Sequence, residues 1–201
     1  MYLTFTRALS AYRKHLTEEI RKAGMVISGT GHRGGGHNSL RAALGQFATG
    51  VGVVTVTTPA GGPAGMTINS HSSVSLDPPL IAWCLRLDAA RFSVFAGADH
   101  FAVNVLAADQ EMLARRFAGP TAGQAALPWR AGPSGVPLLP GTLGSFVCGR
   151  ADQVRGGDHL IIIGRLEHYE VTSGQTPLIF FGGRYHGGPA APELSARRMA
   201  G

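Results

Sequence analysis

The chain has 201 residues, 44% of them hydrophobic and 15% charged, enough for one well-buried core and short for two domains. That balance excludes a disordered chain, and no apolar run approaches the ~20 residues a membrane-spanning helix needs. The formal net charge of +6 is concentrated in residues 1–36, where Arg7, Arg13, Lys14, Arg21, Lys22 and Arg33 face only Glu18 and Glu19, so the remainder is near neutral and offers no broad nucleic-acid-binding face.

Leu9, Tyr12, Leu16 and Ile20 follow a helical spacing and predict a short amphipathic helix within residues 1–23. Gly29-Thr-Gly31-His-Arg-Gly34 matches the dinucleotide fingerprint G-x-G-x-x-G. A true fingerprint carries an acidic residue about 20 positions later for the ribose, and no Asp or Glu occurs between Glu19 and Asp77. The segment reads as a linker. The expected organisation is a basic N-terminal extension over 1–36, one folded domain over 37–188 and a tail over 189–201. With no apolar signal-peptide core at the N-terminus, a cytoplasmic protein without a membrane partner is expected.

Asn38 or Ser39 is placed to cap a helix with Leu40, Ala43, Leu44 and Phe47 on its apolar face. Val51–Thr58 is rich in β-branched residues and predicts a strand. The turn at Pro59–Pro63 returns the chain as a hairpin partner over Ala64–Ser70. Strands follow at Pro79–Leu87 and Phe101–Leu106, and short helices at Arg91–Ala96 and Asp109–Phe117. Residues 118–142, rich in Gly, Pro and Ala, predict a long loop. Leu143–Arg150, His159–Val171 and Leu178–Tyr185 complete the sheet. Many strands joined by short turns argue for a mainly β (α+β) barrel with a few flanking helices. Cys84 and Cys148 lie in apolar strands without a C-x-x-C spacing, as buried reduced thiols would.

Common chemistries are disfavoured by what the chain lacks. It has no G-x-S-x-G elbow, no H-E-x-x-H and no phosphate loop. The histidines at 15, 32, 37, 71, 100, 159, 168 and 186 show no zinc spacing with cysteine, so no metal site is expected. The stretch Gly65–Pro79 is different: Met66, Ile68, Val74 and Leu76 space out Thr67, Asn69, Ser70, Ser73 and Ser75 as along a strand entering a turn. Its small neutral donors and acceptors suit either an exposed sheet face or a ligand with a heterocyclic edge and a phosphate. Asp77-Pro78-Pro79 then fixes a turned or extended backbone.

Gly65–Pro79 resembles the signature of the flavin reductase family, the FMN-binding split-barrel proteins that serve two-component monooxygenases. Four further segments carry the likeness: Phe47–Gly50 with Val53-Val54-Thr55, Leu80–Leu87 with Arg91, Phe101–Leu106, and Gly157-Asp-His159 with Gly183–His186. The resemblance implies a split β-barrel, usually homodimeric, that passes hydride from NADH or NADPH to FMN or FAD and supplies reduced flavin to a partner monooxygenase. No catalytic side chain is needed, because stacking the two rings suffices for hydride transfer.

By the same resemblance Met66, Thr67, Ile68, Asn69 and Ser70 face the flavin ring and ribityl chain, Ser73, Val74 and Ser75 the ribityl phosphate, and Arg91 a phosphate. Asn104 touches the ring edge or ties two strands. His159, Arg184 and His186 serve the nicotinamide nucleotide. His71 departs from the aromatic or apolar residue common after the Asn-Ser pair. The alternatives are a flavin-storage protein without turnover and an acidic-partner or nucleic-acid binder using residues 1–36.

Overall fold

The computed structural model describes residues 37–119, 124 and 126–189. The helix expected in 1–23, the linker at 29–36 and residues 190–201 lie outside these. The chain divides into two units, up to Gln46 and from Phe47 onward. In the first, helix α1 (His37–Leu44) already includes Asn38 and Ser39, so neither stands before it as a cap. Phe47, expected on its apolar face, lies beyond its end.

The second unit holds β1 (Thr49–Gly50), β2 (Gly52–Thr57), β3 (Pro63–Ile68), β4 (Ser72–Leu76), β5 (Pro79–Arg86), α2 (Phe92–Ala96) and β6 (His100–Val105). A 3-10 turn at Ala108–Gln110 leads into α3 (Glu111–Ala118), followed by β7 (Arg130–Ala131), β8 (Pro137–Leu138), β9 (Gly144–Gly156), β10 (His159–Val171), β11 (Leu178–Phe181) and β12 (Arg184–Gly187). Among the described residues no helix is long and apolar enough to cross a membrane.

Seven strands form one antiparallel sheet in the order β3-β2-β6-β9-β10-β5-β4. Its two edges are consecutive in the chain, joined only by Asn69, Ser70 and His71. Laid flat, seven strands at ~4.8 Å spacing would separate those edges by about 29 Å. Three linking residues reach at most ~14 Å. The sheet must therefore curl until β3 and β4 approach, leaving a seam between them that no ladder closes. That geometry is a split barrel.

Inside the curl, Trp83 and Phe101 are buried and meet edge to face at 5.8 Å, with Phe95 against Trp83 at 6.2 Å. Val54, Val56, Leu85 and Ile162 complete this core. The opposite face of β2 is buried as well: Val53, with Val51 just before the strand, packs with Leu106, Ala114, Phe117, Leu139 and Leu178. Burial on both faces explains why β2 reads as an unbroken β-branched run rather than an alternating one. The second cluster seats α3 against the β2–β3 hairpin, and Thr67 Oγ1 fixes it by donating to the carbonyl of Ala114 at 2.7 Å.

Three expectations need correction. Leu178–Tyr185 is a hairpin of two strands, turned by Gly182 and Gly183, both at positive φ. β9 runs to Gly156, past the expected Arg150, because its polar second half pairs with β10 in an exposed ribbon. The expected loop over 118–142 contains the β7–β8 pairing.

Candidate functional site

The seam leaves β3 as a sheet edge, with backbone groups on one side bonded to β2 and on the other free for something else. The Gly65 N–H already points outward, donating to Gln124 Oε1 at 3.4 Å. By the two-residue period of the strand, the Thr67 N–H points to the same side. A cavity of about 270 Å³ opens here, lined by Gly65 and Met66 of β3, Arg86 at the end of β5, Asp88–Arg91 beyond it, the end of α3 and Gln124. A second, of about 190 Å³, continues along Thr67, Ile68 and Asn69 and is walled by Val51, Phe180 and Tyr185. Both share Ala118 and take successive residues of β3, so they lie end to end as a groove along the strand. Together they reach the ~300–1,000 Å³ of small-molecule sites.

The two ends differ in chemistry. At the first, Arg91 is half-buried and its Nη1 donates to Gln124 Oε1 at 3.0 Å. Arg86 is paired with Asp88 at 2.6 Å. At the second, Phe180 and Tyr185 meet edge to face at 5.3 Å, and the Arg115 guanidinium lies 5.1 Å over the tyrosine ring. Burial raises the Tyr185 phenol above its ordinary value, against the opposing effect of Arg115, so it remains a neutral donor. A cationic end, a strand edge of backbone donors and acceptors, and an aromatic end fit a flavin nucleotide: phosphate, ribityl chain and ring system need these in that sequence.

The structure brings Met66 and Arg91 to the first cavity and Thr67, Ile68 and Asn69 to the second. Ser70 turns away, its Oγ accepting from the Cys84 N–H at 2.9 Å and anchoring the β3–β4 turn to β5. Ser73, Val74 and Ser75 lie on β4, across the seam. Asn104 is not brought to the groove. It is fully buried in β6, where Nδ2 donates to Val53 O at 3.1 Å and Thr55 Oγ1 at 3.0 Å while Oδ1 accepts from Leu139 N–H at 3.0 Å. Both amide protons are used, so of its two expected roles the structure shows the strand tie.

His159, Arg184 and His186 line neither cavity. His159 opens β10 opposite Arg86, and its Nδ1 lies 2.8 Å from Asp158. That hydrogen bond holds the Asp158 carboxyl below its usual value. Arg184 and His186 flank Tyr185 on β12 and, by strand alternation, face away from it. His186 Nε2 lies 3.2 Å from Phe181 O. His71 stacks on Phe146 at 5.9 Å with its Nδ1 buried, and burial lowers its pKa, so it serves as a packing ring. Sequence reasoning missed Gln124, Arg86, Phe180 and Tyr185 as lining groups. Tyr185 stood inside the quoted Gly183–His186 segment, whereas Gln124 lies in a stretch with no periodic signal.

Comparison with known proteins identifies the family. The model of the flavin reductase like domain matches residues 44–189. The FMN reductase (NADH) SmoA of Agrobacterium fabrum is 48% identical over 153 residues, covering 75% of this chain and 87% of that protein. The reductase subunit HsaB of a flavin-dependent monooxygenase from Rhodococcus jostii is 34% identical over 148 residues, covering 73% and 75%. The solved NADH:FAD oxidoreductase of Streptomyces globisporus, in complex with NAD and FAD fragments, superposes with a TM-score of 0.72 at 36% identity, covering 80% of this chain and 96% of that one. With its split barrel, its groove at the seam and a match over most of its length, the chain belongs to the flavin reductase family.

Proposed function

We infer that the protein is an NAD(P)H-dependent flavin reductase that passes hydride to FMN or FAD and supplies reduced flavin to a partner monooxygenase. The groove along the free edge of β3, cationic at Arg91 and aromatic at Phe180 and Tyr185, carries this reading. Met66–Asn69 hold the ring and ribityl chain through the strand edge, and Arg91 meets the phosphate. Ser73, Val74 and Ser75 form the opposite lip of the seam, and Ser70 anchors the turn that joins the two lips. His159, Arg184 and His186 lie on exposed hairpins, where an incoming nicotinamide nucleotide meets them from solvent. When bound, flavin supplies a two-electron acceptor; the chain's part is to orient it and keep one ring face open. Relatives named as reductases support turnover over storage.

A homodimer is supported by β4, a sheet edge that carries the exposed apolar residues Val74 and Leu76, at 53% and 93% exposure. A cytoplasmic location is supported by the two free cysteines, Cys84 and Cys148. The test is aerobic oxidation of NADH and NADPH with and without FMN, FAD or riboflavin. Oxidation that requires and saturates with added flavin is expected. Retained flavin without nicotinamide oxidation would instead mark a storage protein.

A further inference from the structure

The first cavity contains an arrangement that charge alone does not explain. Three ionisable groups line it: Arg86, Asp88 and Arg91. Arg86 and Asp88 pair at 2.6 Å and cancel. Arg91 leans on a neutral partner, Gln124, and among the described residues no carboxylate stands within ion-pair distance of it. Gln124 is only 2% exposed. Its Oε1 has two lone pairs, and both are used: one takes Arg91 Nη1 at 3.0 Å, the other Gly65 N–H at 3.4 Å.

The residue is fixed at its backbone too. Its carbonyl accepts the indole N–H of Trp129 at 2.9 Å and the Leu127 N–H at 3.2 Å, and the Trp129 ring packs edge-on against Phe117 at 5.7 Å. A buried amide so held can orient a guanidinium without neutralising it. A carboxylate at that position would orient Arg91 equally well and cancel its charge. Of the five N–H groups of the guanidinium, the bond to Gln124 uses one, which leaves donors for an anion entering the cavity.

We propose that Gln124 is a positioning residue for anion recognition: it presents Arg91 to the terminal phosphate of the flavin nucleotide with its charge intact, and so sets the preference for FMN over unphosphorylated riboflavin. This rests on the reductase reading above. The test compares kcat/KM for FMN and for riboflavin, at saturating NADH, in the wild type, Arg91→Ala, Gln124→Leu and Gln124→Glu. Losing one charge-assisted contact should lower the FMN-to-riboflavin ratio about tenfold in each variant. Gln124→Glu keeps both hydrogen bonds, so it decides the matter if Gln124→Leu fails to fold. In Gln124→Glu the ratio should also recover as pH falls and the new carboxyl takes a proton, which a merely structural role would not produce. If Arg91→Ala lowers the ratio and neither Gln124 variant does, Gln124 has no such role and the phosphate contact stands. If Arg91→Ala leaves the ratio unchanged, the phosphate contact and the proposal fall together. If no flavin supports NADH oxidation by the wild type, the reductase reading itself fails.

Discussion

Gly65→Ala is the most informative single change, because Gly65 touches the strand edge, the helix and the first cavity at once. A Cβ there would stand 2.4 Å from Phe117 Cε1, 2.7 Å from Cδ1 and 3.2 Å from Cζ. Ordinary contact begins at 3.4 Å, so the ring must retreat by about 1 Å. It has little room: Phe117 is 2% exposed, sits edge-on to Trp129, and belongs to a helix bonded to β3 through Thr67 and Ala114. Overpacking of this kind costs about 1–3 kcal/mol. For a chain of this size that corresponds to a fall in Tm of roughly 2–12 °C. The helix end that must move carries Ala118, which lines both cavities, so KM for flavin should rise several-fold along with the loss of Tm. Gly164→Ala serves as the comparison. Its Cβ would meet Phe101 Cζ at 2.4 Å and Cys148 Cβ at 2.8 Å, inside the barrel core and away from the groove lining. It should lower Tm at least as much and leave KM for flavin alone. Scanning calorimetry and steady-state kinetics on both proteins give the answer. A Gly65→Ala protein with wild-type Tm and KM, or a Gly164→Ala protein with the same KM defect, would refute the assignment of the groove to the β3–α3 junction.

Three further outcomes are expected. Asn104→Leu takes the acceptor from the buried Leu139 N–H and the donor from Thr55 Oγ1 and should lose about 2 kcal/mol in urea unfolding; a loss under about 1 kcal/mol would mean that Asn104 is not the strand tie. Burial lowers the His71 pKa below its ordinary 6.5, so the unfolded chain binds the proton more readily than the native one. Stability should then fall as pH drops below 6.5 and level off once the native imidazole is protonated; His71→Phe, which keeps the stack on Phe146, should flatten that part of the profile. Burial, with Glu167 adding to it, pushes the Cys148 thiol up to about 12, so at pH 8 it should resist thiol reagents in the native protein and react fully after denaturation. Rapid native labelling of Cys148 would contradict its burial.

Much of the barrel was legible because its central strands are written in apolar and β-branched residues: β2, β5, β6 and β10 fall close to where periodicity puts them. The second half of β9 escaped because Arg150, Asp152, Gln153 and Arg155 give no apolar period; a long antiparallel partner, β10, makes it a strand. The Gly182-Gly183 turn carried a hairpin signal of its own, overridden by the apolar run before it. In the groove, Met66–Asn69 and Arg91 were accessible through family likeness. Gln124 was not, since a buried glutamine in a Gly/Ala-rich segment acquires meaning only when Arg91 and Gly65, 33 and 59 residues away, are seen to share its oxygen. Asn104 shows the converse: a polar residue in an apolar strand suggests a ligand, while its three internal bonds satisfy it within the sheet.

The strand order also bears on synthesis. β5 joins the sheet only through β10 and β4, and β10 does not begin until His159. A nascent chain can pair β2 with β3 and then with β6, yet the β4–β5 hairpin has no neighbouring strand to pair with until β10, in the last part of the barrel, has left the ribosome. The seam, and the groove beside it, is therefore assembled at the end of folding from contacts long in sequence, the slow kind. Until β10 is in place, a half-made chain lacks the finished groove.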